Sequence, residues 1–263
     1  MSLFQQAART LVLQSFHEDG VSAWVQTCQQ SVMAWCRLQG YRYRFEGDQL
    51  FDRLPRWYWQ KVGDRKAIAA DLARLLWVSE ELASGAYDVV AWVDIDVFVM
   101  DPQQLQIAPR SSCVFGYEHW LQPKTQAVQS AVGLAGPQHF TVRKNVHNAF
   151  CAFKPDCPVL AFLIEAILRM VQRVDVDFLA PQFVGPKLLS SLHNIVGFEL
   201  EPRVGAISPA LRAALLQKDD VLVSKGMPQP LLAANLCASL ASSPGEMNQL
   251  LHTLTPLSKS API

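Results

Sequence analysis

The segment that most constrains this chain is residues 87–102, YDVVAWVDIDVFVMDP. Five successive apolar residues, 89–93, run into two aspartates one residue apart, Asp94 and Asp96, and the chain breaks soon after at Asp101-Pro102. A short apolar run bounded by turn formers reads as a strand covered on both faces, the kind found in a parallel sheet with helices on either side. Two like charges at the end of such a strand require solvent, hydrogen-bond donors or a cation to offset their repulsion and lost hydration.

The rest of the chain fits that sheet. TLVLQSF (10–16) reads as a strand that stops at HEDG, and the run from Val21 to Gly40 has apolar residues at helical spacing. YRYRFEG alternates like a strand, 48–65 is irregular and aromatic, and 66–84 is helical before the aspartate strand. Beyond Pro102, strands are expected at 111–121 and 148–155 with a loop between them, helices at 158–172 and 179–192, and one more strand in NIVGFELEP. Residues 230–263 read as a helical or loose extension. Strands alternating with helices predict one mixed α/β domain over 1–263 with a mostly parallel, Rossmann-like sheet, whose ligands sit beyond the C-terminal strand ends.

Composition narrows the function. With 263 residues, 50% hydrophobic, the chain can bury a sizeable core, and its 23 basic and 23 acidic residues balance. That balance does not recommend nucleic acid or an anionic membrane as partner. The expected location is cytoplasmic, since no window approaches the roughly eighteen apolar residues of a membrane span. Six cysteines, at 28, 36, 113, 151, 157 and 237, show no CxxC spacing and read as buried thiols rather than a disulfide scaffold or zinc site.

On an extended strand Asp94 and Asp96 share a face, with Cα atoms roughly 6.5–7 Å apart. That spacing is wide for both to chelate one ion, so a division of labour is expected: one binds the metal while the other holds a sugar hydroxyl or a metal-bound water. Oxygen ligands suit Mn²⁺ or Mg²⁺. The bland alternative is that the strand ends at Val93 and both aspartates are solvated turn formers. The preceding helix is apolar nearly all round from Ala67 to Val78, interrupted only by Asp71 and Arg74, three apart and so on one face. They form either an ordinary ion pair in a solvent-facing notch or part of a polar site at the sheet edge.

These segments resemble glycosyltransferases of the GT-A fold, which bind a nucleotide sugar through a DxD motif and Mn²⁺ or Mg²⁺. WVDIDVFVMDP is similar to the DxD segment of the galactosyl- and mannosyltransferase families, and AADLARLLW to the helix of the DXD sugar-binding families. The resemblance implies donor-sugar roles for Asp71 and Arg74, metal and donor roles for Asp94 and Asp96, and a sugar contact for Asn148 in NVHNAFCAFKP. It also matches Gly185-Pro186 in QFVGPKLL, and covers roughly residues 10–195. Where the families run Gly-Gly-x-Tyr into DxD, this chain has Gly85-Ala86-Tyr87, and its C-terminal third does not match the loop that closes over the phosphates and supplies a further metal ligand.

The implied activity is transfer of a sugar from a nucleoside-diphosphate sugar, UDP being the common nucleotide, to a glycan or other hydroxyl acceptor, as in polysaccharide assembly. Gln14, Ser15 and Phe16 would line the nucleotide at the end of the first strand. The aromatic run PRWYWQK (55–61) stacks on a base or acceptor sugar, or packs a loop onto the core. His193 is a candidate third metal ligand, although a lone histidine is more often structural. No catalytic base is identified. Two alternatives stay open: a haloacid-dehalogenase-like phosphatase, which also presents Asp-x-Asp at a strand end, and a catalytically silent sugar-nucleotide-binding module.

Overall fold

Strand β3 (Val89–Val93) explains the apolar run that precedes the aspartates, because it is covered on both faces. Val90 and Trp92 enter one core cluster, while Val89, Ala91 and Val93 enter another. The same alternation holds in β1 (Thr10–Ser15), where Leu11 and Leu13 face the first cluster and Val12 the second. The computed structural model describes residues 8–17, 20–125, 136–179, 183–241 and 243–255.

Along the chain, β1 is followed by α1 (Ala23–Gln39), β2 (Arg42–Glu46), a 3₁₀ turn at Asp48–Arg53, α2 (Arg56–Val62) and α3 (Lys66–Ala83). Gly40 ends α1 in the left-handed conformation (φ 71°), which lets the Gly40 and Tyr41 amides cap the last carbonyls. After β3 come β4 (Val97–Val99), β5 (Cys113–Pro123), β6 (Phe140–Phe153), α4 (Pro158–Arg173), α5 (Pro186–Val196), β7 (Glu199–Glu201) and β8 (Val204–Ala206). The chain continues through α6 (Pro209–Gln217), α7 (Asp220–Gly226), β9 (Ala233–Asn235) and α8 (Pro244–Leu254).

The main sheet has the order β2-β1-β3-β6-β5-β7, with β1 parallel to β2 and β3, β7 parallel to β5, and β6 antiparallel to both its neighbours. Residues of α3, α4 and α5 pack against one face of it, and α1 covers the other with a small second sheet, β4-β9-β8. A third cluster joins the start of α1 to α6, α7 and α8. The expected α/β architecture is thus the observed one. Among the described residues no helix is long and apolar enough to cross a membrane. All six cysteines are free thiols, and only Cys237 has more than slight exposure.

Three segments differ from the sequence expectation. The stretch read as a strand at 148–155 starts at Phe140, because its first half pairs with β5 as a long hairpin; residues 126–135 of the intervening segment lie outside those described. The helix expected at 179–192 begins at Pro186, where proline at the first turn has no amide to leave unpaired; residues 180–182 lie outside those described. The segment from 230, read as an extension, enters the fold: Ala233–Asn235 is the central strand of the second sheet, antiparallel to β4 and parallel to β8. Three residues are too few to show strand periodicity, so the pairing partners make this strand rather than its own pattern.

Candidate active site

The two aspartates do not lie on an extended strand. β3 ends at Val93, and residues 94–97 make a turn in which the Val97 amide donates to the Asp94 carbonyl (3.1 Å). The same-face strand geometry is therefore corrected: the strand ends at Val93 with the aspartates in a turn, as the bland alternative has it, and the Asp94 side chain is 27% exposed, but Asp96 is not solvated. Asp96 is only 8% exposed. The turn is held in the sheet by the Asp94 amide, which donates to Ala149 O (2.8 Å), and by Gln14 Nε2, which donates to Asp94 O (3.1 Å).

Arg74 is the hub of one side of the site. Its Nη1 donates to Asp94 Oδ1 (3.0 Å) and to Asn148 O (3.1 Å), its Nε donates to Ala70 O (3.1 Å), and Nη2 lies 3.2 Å from Asp71 Oδ1. Its guanidinium also stacks over Trp92, 5.2 Å from the ring centroid, while Trp92 Nε1 donates to Asp94 Oδ1 (2.6 Å). Asn148 Nδ2 donates to Asp71 Oδ1 (2.7 Å). So Asp71, Arg74, Asp94 and Asn148 form one network, and the pair in α3 is not a solvent-facing notch: both residues are 7% exposed. Burial works against the charge on Arg74, but Asp94 and Asp71 more than offset it and raise its pKa. Burial pushes Asp71 up to about 6 despite the opposing effects of Arg74 and Asn148.

A bulge places Asn148. Phe115 pairs with Cys151, but the next residue, Gly116, pairs with His147, so residues 148–150 lie between consecutive partners of β5. Such a bulge re-aims side chains beside a site. Here it directs Asn148 to Asp71, while Asn145 and His147 line the open cleft. Gly185 closes the same corner, since a Cβ there would stand 3.0 Å from Asp71 Oδ2.

Asp96 faces the C-terminal segment. Asn235 Nδ2 donates to its Oδ1 (2.7 Å), the Ala238 amide to its Oδ2 (2.6 Å), and the Leu236 amide to its carbonyl (2.9 Å). Burial, then the neighbouring Asp94 charge, pushes the Asp96 pKa upward.

Two cavities flank the turn. A cleft of ≈ 720 Å³ is lined by Asp94, Asp96, Glu118, Asn145, Asn148 and Asn235, among others. A second cavity, ≈ 570 Å³, is lined by Phe16, His17, Gln29, Phe45 and Ile95, the residue between the two aspartates. The Phe16 and His17 rings meet there with centroids 3.9 Å apart, tilted by 35°.

Gln14, expected at the nucleotide, is wholly enclosed: its amide donates to Asp94 O and accepts from Tyr43 Oη (3.0 Å), so it buttresses the turn from beneath and lines neither cavity. Ser15 donates to Gly47 O (3.1 Å) and lines neither cavity. Of the aromatic run, Tyr58 is buried, while Trp57 and Trp59 are part-exposed; Trp59 borders a separate depression with Phe51. His193 packs on Phe198 (4.8 Å between rings) and does not line the cleft. The residues that sequence reading missed are Asn235, Glu118, Asn145 and His147. For Glu118 a signal was available, because Glu118, Trp120 and Gln122 alternate along β5 and all line the cleft. Asn235 has no local signal.

Among the described residues no three His, Cys, Asp or Glu side chains gather as a metal-ligand set, so an all-protein cage does not fit. A hard cation held by one or two carboxylates and completed by phosphate oxygens and water does fit. Asp94 Oδ2 accepts no protein hydrogen bond among the described residues, and the cleft brings a second, buried carboxylate to the same turn.

No family model and no curated protein matches the sequence. Among solved structures, the chain is similar to a glycosyltransferase involved in the glycosylation of the major capsid of PBCV-1, with 11% identity and a TM-score of 0.51, over 93% of this chain and 98% of that one. It also aligns with A197 from STIV at 14% identity and a TM-score of 0.30, over 71% of this chain and 78% of that one. The first likeness shows the fold: a mixed, mostly parallel sheet flanked by helices, shared with a glycosyltransferase.

Proposed function

We propose that this protein is a glycosyltransferase that moves a sugar from a nucleoside-diphosphate sugar, UDP being our choice of nucleotide, to a hydroxyl acceptor on a glycan. The observation that carries the proposal is the position of the Asp94–Asp96 turn between two cavities, one with an aromatic wall and one polar. The first suits a nucleoside at Phe16, the second a sugar beside Asn148, which Asp71 and Arg74 hold from beneath, and the turn between them a diphosphate. The shared fold supports this reading.

In this reading Asp94, with Asp96 beside it, holds Mn²⁺ or Mg²⁺. The bound ion supplies positive charge to the diphosphate as the bond to sugar C1 breaks. Arg74 fixes the Asp94 carboxylate from behind, so one oxygen is committed to the protein and the other is left for the ligand side. Asp71 lines neither cavity and acts from beneath the sugar position, holding the Asn148 side chain, which does line the cleft. The free thiols suit a reducing, cytoplasmic setting, with polysaccharide assembly as the process served.

The test is release of nucleoside diphosphate from UDP-glucose, UDP-galactose, UDP-N-acetylglucosamine and GDP-mannose, with and without Mn²⁺. Metal-dependent release from one donor is the expected result. Absence of release and of binding for all four would remove the proposal.

A further inference from the structure

The aromatic run at 55–61 has a feature that the proposed transfer does not use. Tyr58 does the packing: it is wholly buried, and its hydroxyl donates to the Ile68 carbonyl (3.2 Å), which fixes α2 to α3. Trp59, the next residue, is 39% exposed and lines a depression of ≈ 320 Å³ with Asp48, Phe51, Asp52, Arg56 and Lys66, among others. Its ring rests against Phe51, with centroids 5.1 Å apart and planes tilted by 36°, and Phe51 in turn packs on the core cluster that includes α3. The indole is therefore a supported platform that stays open to solvent.

The wall of the depression is fixed and its rim is polar. Arg53 pins the 3₁₀ turn that carries Phe51 and Asp52: it donates to Glu80 (2.8 Å) and to both carboxylate oxygens of Glu46 (2.5 and 3.0 Å), and it stacks over Trp77. Neither the Asp52 nor the Arg56 side chain has a hydrogen bond or ion pair among the described residues. Asp48 and Lys66 form one exposed ion pair at 3.6 Å, a contact that water and salt weaken. Two acids and two bases balance, so the rim selects neither a phosphate nor a cation. An apolar ring beside free acceptors and donors matches a neutral pyranose, which lays a face of C–H groups on the indole and presents hydroxyls at its edge.

We infer that this depression is a saccharide-binding subsite separate from the cleft, with Trp59 as the stacking platform and Asp52 and Arg56 as the groups that bind hydroxyls. It shares no lining residue with the cleft or with the cavity at Phe16. It stands at the same edge of the sheet, because its 3₁₀ turn follows the C-terminal end of β2, which runs parallel to β1 and so to β3. A role in holding the glycan that is modified rests on the transferase reading above, whereas the binding of a saccharide does not.

The test is titration of the full chain, labelled with ¹⁵N at tryptophan, with maltopentaose, cellopentaose, mannopentaose and chitopentaose, in the absence of nucleotide and metal. At least one should give a saturable shift of the Trp59 indole signal, which is assigned by its loss in Trp59→Phe. In calorimetry, Trp59→Ala should bind that saccharide about tenfold more weakly or worse, and Asp52→Ala and Arg56→Ala should each weaken it. Asp52 and Arg56 are exposed, so these two variants read the subsite even if Trp59→Ala disturbs α2. Trp57 is as exposed as Trp59, at 40%, but does not line the depression, and Trp57→Ala should bind as wild type. No shift with any of these saccharides, unchanged affinity in the Trp59, Asp52 and Arg56 variants, or an equal loss in Trp57→Ala overturns the subsite, whatever the nucleotides do. Saccharide binding by a protein that binds neither UDP nor GDP with Mn²⁺ upholds the subsite and overturns the transferase reading.

Discussion

Asn235 donates its side-chain amide to Asp96 across 2.7 Å, although 139 positions separate them in the chain. The same Asn235 accepts from the Cys237 amide (2.7 Å), and Ala238 donates to the other oxygen of Asp96. Asp96 therefore clasps the segment 235–238 onto the turn that carries the proposed ligands, and Cys237 takes positive φ (55°) to make the bend. The proposed binding chemistry and the docking of the C-terminal segment are joined at one carboxylate.

Asp96→Asn should accordingly cost stability as well as ligand binding. An amide offers one acceptor where the native carboxylate meets two donors, so one buried donor is left facing another. The expected loss is about 1–3 kcal/mol, read as a lower urea midpoint with unchanged slope. Faster amide hydrogen exchange at residues 236–238 should accompany it.

Arg74 offsets the charge of buried Asp71 and part-buried Asp94, and its removal leaves both without their cation. Arg74→Ala should destabilise by about 3–5 kcal/mol, the cost of breaking a buried pair by deleting one partner. Arg74→Lys keeps the charge but cannot reproduce the fork that reaches Asp71, Asp94 and the Asn148 carbonyl together, so it should recover only part of the loss in the same urea measurement.

Asp71 gives the pH dependence its sign. Its pKa is 3.8 as a free side chain and is raised to about 6 in the fold, first by burial. Between those values the native state holds a proton that the unfolded chain has released, so stability attributable to Asp71 falls as pH rises from about 4 to about 6 and is level above that. Wild type should lose ground to Asp71→Asn over this window, by on the order of 2–3 kcal/mol at full separation. Paired denaturation curves from pH 4 to pH 7 check it, and a constant difference between the two proteins would contradict it.

Gly116 marks the β5–β6 bulge because the His147 ring occupies the space a side chain would need. A Cβ at 116 would lie 2.4 Å from His147 Cε1 and Nε2. His147 is anchored by Nε2 to the Val204 carbonyl at 3.0 Å. Gly116→Ala should cost about 1–3 kcal/mol through overpacking, measured by thermal unfolding, and shift the NMR signals of His147.

The sheet and most helices were legible in the sequence because their patterns are local. The apolar run 89–93, the period of α3 and the alternation of β1 all report burial that the fold then supplies. Asp71 and Arg74 stand out as the only polar residues between Ala67 and Val78 of α3, and the structure brings them to Asp94. What was not legible depends on distant pairing. The turn at 94–97 looks like strand in composition, because Val97–Val99 continues the apolar run but pairs with β9 in a different sheet. Asn235 reaches Asp96 only through that pairing, and the enclosure of Gln14 by Tyr43 and the Asp94 carbonyl has no sequence pattern.

The most direct test of the account is isothermal titration of UDP and GDP into wild type and Asp94→Asn, with and without Mn²⁺, after circular dichroism has shown both to be folded. The account predicts heat of binding for one nucleotide in wild type with Mn²⁺, and its loss when either the metal or the Asp94 carboxylate is removed. Binding that is indifferent to both, or no binding of either nucleotide, would contradict it.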